Sequence, residues 1–419
     1  MNGLLLAALA TGLLMLRQYV FLVLAAAVMF VYVVWGDGRF ENLVIDGWEA
    51  LNQDILLPIP LYMLAGAIMA EGAIAGQLVR VMRALTGPIP GGLAVATCLS
   101  CGLFASVVGS STVTLLAVGT VMYPALLAGG YSKSFSIGLI CAGATLGIII
   151  PPSIPLILYG VMTATSIADL FIAGIGPGLL LLGLFAVYSM VVNWRLRSGR
   201  WDLPELLAAL RSGVWALLMP VLILGGIYSG LFTATESAAI AVVYAVVIEL
   251  FVYRRLDLRV LLRVTTETTR LLGALFPVLM MALALNKFLT FEQVPGMMIE
   301  QLERVFDTPG SFILATNLLL LAIGSVMDIG SAILILAPIL QPVAEAQGMH
   351  PVHFGIMMTV NLEIGYLTPP LGLNLIVAMT AFRENFWLIC KAVLPFIGLM
   401  AVGLAVVALW PPLSLFLLG

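Results

Sequence analysis

The chain of 419 residues is 62% hydrophobic and 9% charged, with a mean hydropathy of +1.15 and a net charge of −3. Soluble domains carry roughly a quarter charged residues, so this composition excludes a soluble fold. It has no basic stripe for nucleic acid, no alternating decads of an outer-membrane barrel, and no positively charged leader with a cleavage site, so no removable signal peptide is expected. Apolar runs of about 17–25 residues recur along its length, as bilayer-crossing helices require.

The basic residues mark one side of the membrane under the positive-inside rule. The first apolar run, 4–16, is too short to cross alone. A helix over 19–35 exits from Arg17, an acidic loop 36–54 follows outside, and a helix over 55–70 returns to Arg80 and Arg83. The stretch 91–128 then begins and ends inside, because Lys133 follows it; Gly109-Ser110-Ser111-Thr112 breaks it into a re-entrant hairpin. A segment over 135–160, broken at Pro151-Pro152, crosses outward, and 168–193 returns to the arginines from Arg195 to Arg211. Helices over 214–228 and 238–251 exit and return around a turn at 232–236, where Glu236 reads as an exposed cap. From the basic loop 254–270 a helix over 271–289 exits to a second acidic loop, 290–310. The stretch 312–344, broken at Met327-Asp328-Ile329-Gly330-Ser331, begins and ends outside. A segment over 354–380, broken at Pro369-Pro370, crosses inward to Arg383 and Lys391, and 393–410 exits.

Two hairpins of opposite orientation, each followed by a broken helix, make an inverted repeat. Gly109, Pro124, Phe135 and Pro151-Pro152 have echoes in Gly324, Pro338, Phe354 and Pro369-Pro370, at offsets of 214 to 219. Amphipathic stretches, 74–85 and 294–305, precede the hairpins. The predicted fold is an all-α polytopic membrane protein: an inverted repeat with two re-entrant helical hairpins and two broken transmembrane helices. Its expected parts are N-terminal scaffold helices (1–90), a hairpin with its broken helix (91–193), scaffold helices and connecting arms (194–310), the second hairpin and broken helix (311–382), and a C-terminal helix (383–419).

Broken backbone at membrane depth is tolerated only where protein or a wet cavity surrounds it. Paired breaks in two halves point to a transporter's binding site. Half-helix C-termini expose carbonyls that coordinate cations, while N-termini present N–H groups and a positive dipole to anions. Pro152 and Pro370 suit the first turn of a half-helix, where a missing N–H costs nothing; residues 147–150 and 365–367 then supply unwound carbonyls. Hard cations such as Na⁺ take oxygen ligands. Ser110, Ser111 and Thr112 at one tip, and Asp328, Ser331 and Thr368 in the other half, offer hydroxyl and carboxylate oxygens. An intramembrane carboxylate such as Asp328 marks a functional position by default. Glu363, one turn before the second break, either faces the site or pairs structurally. Thr112, Ser153, Ser331 and Asn374, whose amide follows the second double proline, are the expected substrate contacts.

Cys98 and Cys101 form a CxxC, but no further thiol or histidine stands near them in the sequence, so they read as packing residues, as do Cys141 and Cys390. His350 and His353 flank Pro351 and read as loop residues without a metal role. The chain carries no HExxH, GxSxG or Walker loop, so it reads as a non-enzyme driven by an ion gradient.

The stretches Gly109-Ser-Ser-Thr-Val-Thr, Gly147-Ile-Ile-Ile-Pro-Pro-Ser-Ile-Pro, Leu224-Gly-Gly-Ile-Tyr-Ser-Gly-Leu-Phe-Thr-Ala-Thr-Glu-Ser-Ala-Ala and Ile364-Gly-Tyr-Leu-Thr-Pro-Pro-Leu-Gly-Leu-Asn resemble the large membrane subunit of tripartite ATP-independent periplasmic (TRAP) transporters. Met327-Asp328 followed by Ala332-Ile-Leu-Ile-Leu-Ala-Pro is similar to that family's second hairpin, and the likeness runs from about Leu56 to the C-terminus. The resemblance implies a sodium-coupled, elevator-type importer of an organic acid (a C4-dicarboxylate, sialic acid or a related carboxylate) in the bacterial inner membrane. It also implies a separate small four-helix membrane subunit and a periplasmic substrate-binding protein as partners, within membrane lipid. One sodium site would use Ser110, Ser111, Gly147, Ile150 and Pro152; the other would use Asp328, Gly330, Gly365, Thr368 and Leu371. Na⁺ is the one metal implied. The rival readings are a stand-alone sodium/dicarboxylate symporter and a non-transporting channel or scaffold.

Overall fold

Backbone N–H and C=O groups in a bilayer must pair within the chain, and this chain meets that requirement with helices. In the computed structural model the described residues are 20–35, 40–196, 202–294 and 308–418, with isolated positions before 19 and at 296–299. The helices are α1 (Val20–Val34), α2 (Phe40–Leu51), α3 (Pro58–Glu71), α4 (Ile74–Thr86), α5 (Gly92–Val108), α6 (Ser111–Ala128), α7 (Lys133–Ile149), α8 (Ile154–Thr163), α9 (Ile167–Val192), α10 (Leu203–Tyr228), α11 (Ala234–Val247), α12 (Leu258–Phe291), α13 (Pro309–Gly324), α14 (Ile329–Ala346), α15 (Pro351–Gly365), α16 (Leu373–Phe382), α17 (Phe386–Leu409) and a short α18 (Pro412–Leu415). Among the described residues, nine helical stretches are long and apolar enough to cross a membrane. The apolar run 4–16 and the second amphipathic stretch, 294–305, lie largely outside the described residues.

The breaks fall where the sequence places them. α5 and α6 meet at Gly109-Ser110, α13 and α14 are separated by 325–328, and the double prolines separate α7 from α8 and α15 from α16. Both prolyl bonds, Pro151-Pro152 and Pro369-Pro370, are cis. The two halves pack alike. Each hairpin's first helix lies on its own broken helix, α5 on α7 and α13 on α15. Each hairpin's second helix lies on the far segment of the other half's broken helix, α6 on α16 and α14 on α8. This exchange is the repeat expressed as packing.

Polar contacts hold the two ends of the bundle. At one end Lys133 pairs with Glu384 at 2.7 Å, and Tyr123 Oη donates to the same carboxylate at 3.1 Å. The Lys133 ammonium holds the Glu384 carboxyl below the usual carboxylate range. Lys133 and the neighbouring Arg383 therefore share an end, as the charge threading requires. At the other end Tyr159 Oη donates to the Pro351 carbonyl at 2.7 Å, and Asn286 Nδ2 to the Met162 carbonyl at 2.9 Å. The amphipathic α4 buries Leu78, Val81 and Met82 and sends Arg80 to Glu205 at 2.9 Å. Its first turn is capped from a distance: the N–H groups of Ala73 and Ile74 both donate at 2.9 Å to Glu249, buried in the π-helical turn Ile248–Val252.

Several local readings need correction. The loop 36–54 contains the amphipathic α2, tied to α12 by Lys287 with Asp46 and Glu49. The basic loop 254–270 is mostly the start of α12, a helix of 34 residues whose Arg263 pairs with Glu71 at 2.9 Å. α10 likewise starts at Leu203 rather than 214. Charge ends the apolar span but not the helix, because Arg, Lys and Glu are good helix formers. His353 is no loop residue: it is buried in α15, with Nδ1 3.3 Å from Ser414 Oγ. His350 caps that helix, accepting from the Val352 N–H at 3.2 Å. Glu236 is the exposed cap expected, in a capping box with Thr233.

Helix association in lipid relies on close packing of small residues. At Gly138 on α7 a Cβ would collide with the backbone carbonyl of Ala392 on α17, whereas Gly183 on α9 faces open space. Gly138→Ala should therefore destabilise the purified protein by about 1–3 kcal/mol, the usual cost of overpacking. Gly183→Ala should be neutral or stabilising by up to about 1 kcal/mol, from helix propensity. Thermal unfolding in detergent checks both, and equal melting temperatures for the two variants would contradict the α7–α17 contact.

Candidate substrate and cation site

The first hairpin turn is built on glycine. Gly109 ends α5 with φ +64°, a left-handed conformation that L side chains rarely adopt. A Cβ there would stand 2.5 Å from the Pro152 carbonyl oxygen, so the turn presses directly on the first double-proline break. The Ile154 N–H, in the first turn of α8, donates to the Gly109 carbonyl at 3.5 Å. Gly147, near the end of α7, lies under Ser110, whose carbonyl accepts from Thr114 Oγ1 at 2.8 Å. Ser111 Oγ accepts from Asn374 Nδ2, a bond that joins the first hairpin to the second broken helix.

The second turn repeats this architecture with other side chains. The Leu371 N–H donates to the Ser325 carbonyl at 3.1 Å, the counterpart of the Ile154–Gly109 bond. A Cβ on Gly365 would stand 2.5 Å from the Gly324 carbonyl carbon, so the backbones touch. Asp328 caps α14, its Oδ2 accepting from the Ser331 N–H at 2.8 Å. Thr368 Oγ1 donates to the Ile364 carbonyl at 2.8 Å, which leaves its lone pairs facing outward from that bond. Tyr366 Oη receives a 3.5 Å bond from the Ile329 N–H.

Between the turns lies a cavity of about 160 Å³. Gly109, Ser110, Ser111 and Thr112 line it from the first turn, Ile154, Pro155 and Leu158 from α8, and Ile329, Gly330 and Tyr366 from the second half. Met63 of α3 and Leu275 of α12 also line it. Its volume is below the roughly 300–1,000 Å³ of drug-sized pockets, which suits a small solute. The lining carries no charged side chain, yet the N-termini of α6, α8 and α14 all reach it. Helix N-termini bring unpaired N–H groups and positive dipole ends, which attract anions.

The sequence relationships agree with this geometry. Residues 4–413 match the family described as "Tripartite ATP-independent periplasmic transporter, DctM component". The C4-dicarboxylate TRAP transporter large permease protein DctM of Pseudomonas aeruginosa is 40% identical over 381 residues, covering 90% of this chain and 89% of that protein. The ectoine TRAP transporter large permease protein TeaC of Halomonas elongata is 35% identical, covering 97% and 96%. The 2,3-diketo-L-gulonate TRAP transporter large permease protein YiaN of Escherichia coli is 31% identical, covering 93% and 92%. The chain belongs to the TRAP transporter large-permease family. It is thus a multi-pass inner-membrane protein and a component of a tripartite system. The match begins well before Leu56, so the N-terminal helices also belong to the family pattern. The fold is similar to that of the Alcanivorax borkumensis YdaH transporter, with a TM-score of 0.64 at 17% identity over 90% of each chain.

Within this TRAP permease, the predicted site residues separate into cavity lining and support. Ser110, Ser111, Thr112 and Gly330 line the cavity. Ser153 is fully buried as the cap of α8, accepting from the Leu156 N–H at 3.3 Å and donating to the Ile148 carbonyl. Ser331 and Asn374 are buried beside the turns. Gly147, Ile150 and Pro152 cluster at the first break, and Gly365, Thr368 and Leu371 at the second. Two expectations about these breaks are corrected. The half-helices start after Ser153 and Gly372, so neither Pro152 nor Pro370 occupies a first helical turn. Residues 147–149 are still helical, and their carbonyls are end-of-helix groups rather than unwound ones. Tyr366, Leu158, Met63 and Leu275 were not expected. Tyr366 stands inside the second break motif and could have been found there, whereas the other three sit in ordinary apolar helix sequence.

The Ser111–Asn374 bond generates a prediction across the two halves. Ser111→Ala and Asn374→Ala should be non-additive, with a coupling of about 0.5–1.5 kcal/mol in a double-mutant cycle on unfolding. Additive effects would remove the bond from the account of how the halves are joined.

Proposed function

We propose that this chain is the sodium-coupled permease of a binding-protein-dependent TRAP transporter and that it imports a small organic acid. One observation carries the reading: three helix N-termini converge on a cavity without charged side chains. A carboxylate entering there meets the start of α6, which has no side-chain cap, and the Ser110, Ser111 and Thr112 hydroxyls. No fixed ammonium or guanidinium stands in the lining to trap it, so binding can be specific yet reversible. Relatives named for C4-dicarboxylate, ectoine and 2,3-diketo-L-gulonate transport favour a small polar solute.

Sodium ions are the co-transported substrate in this reading. Ser110, Ser111, Gly147, Ile150 and Pro152 would hold one at the first break, where serine oxygens and the Pro152 carbonyl meet the C-terminal end of α7. Asp328, Gly330, Gly365, Thr368 and Leu371 would hold the other. The Ser325 carbonyl, which the Leu371 N–H already binds, is a further oxygen there. These are hard oxygen donors of the kind alkali cations take. Each ion would place positive charge beside the cavity and raise its affinity for a carboxylate, which couples the two gradients.

Residues 91–193 and 311–382 would form the moving body of an elevator and the other helices its scaffold, with both hairpins re-entrant. A small four-helix membrane subunit would enlarge that scaffold, and a periplasmic binding protein would deliver the substrate. A cysteine placed at Gly129 should label from the cytoplasm and one at Glu345 from the periplasm; labelling of both from one side would overturn the re-entrant topology.

Uptake into proteoliposomes should require an inward sodium gradient, the binding protein and the small subunit together. Uptake that persists without sodium would refute coupling, and uptake without the binding protein would favour a stand-alone symporter. Asp328→Asn keeps the size and one oxygen of the side chain. If Asp328 ligates sodium as well as capping α14, half-maximal uptake should need about five- to hundred-fold more sodium, from roughly 1–3 kcal/mol of a lost charged contact. An unchanged sodium titration would leave Asp328 as a cap alone.

A further inference from the structure

Asn286 closes the apolar stretch 271–285 of α12, and its side chain reaches across to another helix: Nδ2 donates to the Met162 carbonyl of α8 at 2.9 Å. In the division proposed above, α12 belongs to the scaffold and α8 to the moving body. The bond therefore crosses the boundary along which the two would slide. Met162 lies in the last turn of α8, where carbonyls find no partner within the helix. The Gly160 carbonyl accepts from the Ala164 and Thr165 N–H groups, and the Tyr159 carbonyl from Thr163 Oγ1. The Met162 carbonyl is answered by Asn286.

Scaffold contacts hold the donor from both sides of it in the chain. Tyr32 Oη of α1 lies 3.2 Å from the Ala284 carbonyl and 2.8 Å from Asp46 Oδ2 of α2. Lys287 pairs with Asp46 and with Glu49, both on α2. Residues 284–287 are thus fixed by α1 and α2, and Asn286 is presented from a firm support. Leu275, about three turns back along the same helix, lines the cavity. One scaffold helix therefore touches both the site and the end of α8.

We propose that Asn286 is a latch: its bond to Met162 holds the moving body against the scaffold in the state this structure shows, and it breaks when the body travels. The inference rests on the elevator reading above. The chemistry suits the task. A side-chain amide between membrane helices forms a bond of modest net strength, so it biases a state without locking it. The bond is lost once donor and acceptor part by more than about 3.5 Å, so it acts only at this end of the movement. An amide with a purely structural role would stabilise the fold and leave the balance between states unchanged.

The test is the distance between the two bodies, read by double electron–electron resonance on the full chain in detergent. Spin labels are carried by Val187→Cys on α9 and Val243→Cys on α11, both exposed positions, while the four native cysteines are buried and stay unlabelled. The chain with Asn286 intact should show two distances, with that of this structure prevailing. Asn286→Leu, nearly isosteric but without a donor, should shift their ratio away from it by about three-fold and at most about twenty-fold, the range of interhelical bonds in membranes. Asn286→Gln, which keeps the amide, should restore much of the original ratio. Two distances whose ratio Asn286→Leu leaves unchanged would overturn the latch and keep the elevator. Equal shifts in Asn286→Leu and Asn286→Gln would also overturn the latch, since side-chain shape and not the donor would then set the ratio. A single distance in all three chains, with sodium present or absent, removes the elevator reading and the latch with it. Asn286→Ala serves on the same readout if Asn286→Leu fails to fold.

Discussion

A helix broken inside a bilayer leaves carbonyls and N–H groups that lipid cannot satisfy, and everything else in this permease depends on how those groups are answered. Here each break is answered by the turn of its own half's hairpin. Ile154 donates to the Gly109 carbonyl, and Leu371 donates to the Ser325 carbonyl. Gly109 against Pro152 and Gly365 against Gly324 bring the backbones close enough for this to happen. The glycines are therefore requirements of contact. Without them the turns would stand off from the breaks, and the freed backbone groups would face hydrocarbon.

The same arrangement creates the site. Because each hairpin turn sits on a break, helix starts and helix ends accumulate at one depth. Helix starts gather around the cavity, that of α14 carrying Asp328 as its cap. Helix ends and turn carbonyls gather beside it as oxygen donors. Ser153 and Asp328 show how local capping serves this geometry. Each satisfies a half-helix N-terminus with a side-chain oxygen and fixes where the next turn begins. In the proposed function the cavity's recognition is largely a property of backbone, tuned by a few hydroxyls.

Around this centre the outer helices are joined by long-range polar contacts of a different kind. α4 leads from α3 into the first hairpin, and its start is fixed by Glu249, which accepts two backbone N–H groups. Its far side is held by Arg80 with Glu205 on α10. α2 and α12 are joined by Lys287 with Asp46 and Glu49. These solvent-exposed pairs contribute little individually. The Glu249 cap is different, since removing it would orphan two N–H groups at the start of the arm.

The sequence by itself determined the membrane class, the order of the principal helices, the repeat and the positions of all four breaks. Those features are written in composition and in glycine and proline placement, which act locally on the backbone. It also named the polar residues of the turns, from Ser110 to Thr112 and Asp328. It misjudged helix ends such as Leu203 and Leu258, because charged residues leave the bilayer without leaving the helix. It treated His353 as a loop residue, because burial is set by α18 folding back across α15. Tertiary structure alone decided which helix starts share the cavity and that Asn374 reaches Ser111. The physical reason is common to both. Each brings together residues of the two halves, and their meeting is fixed by how those halves exchange helices, which no local propensity encodes.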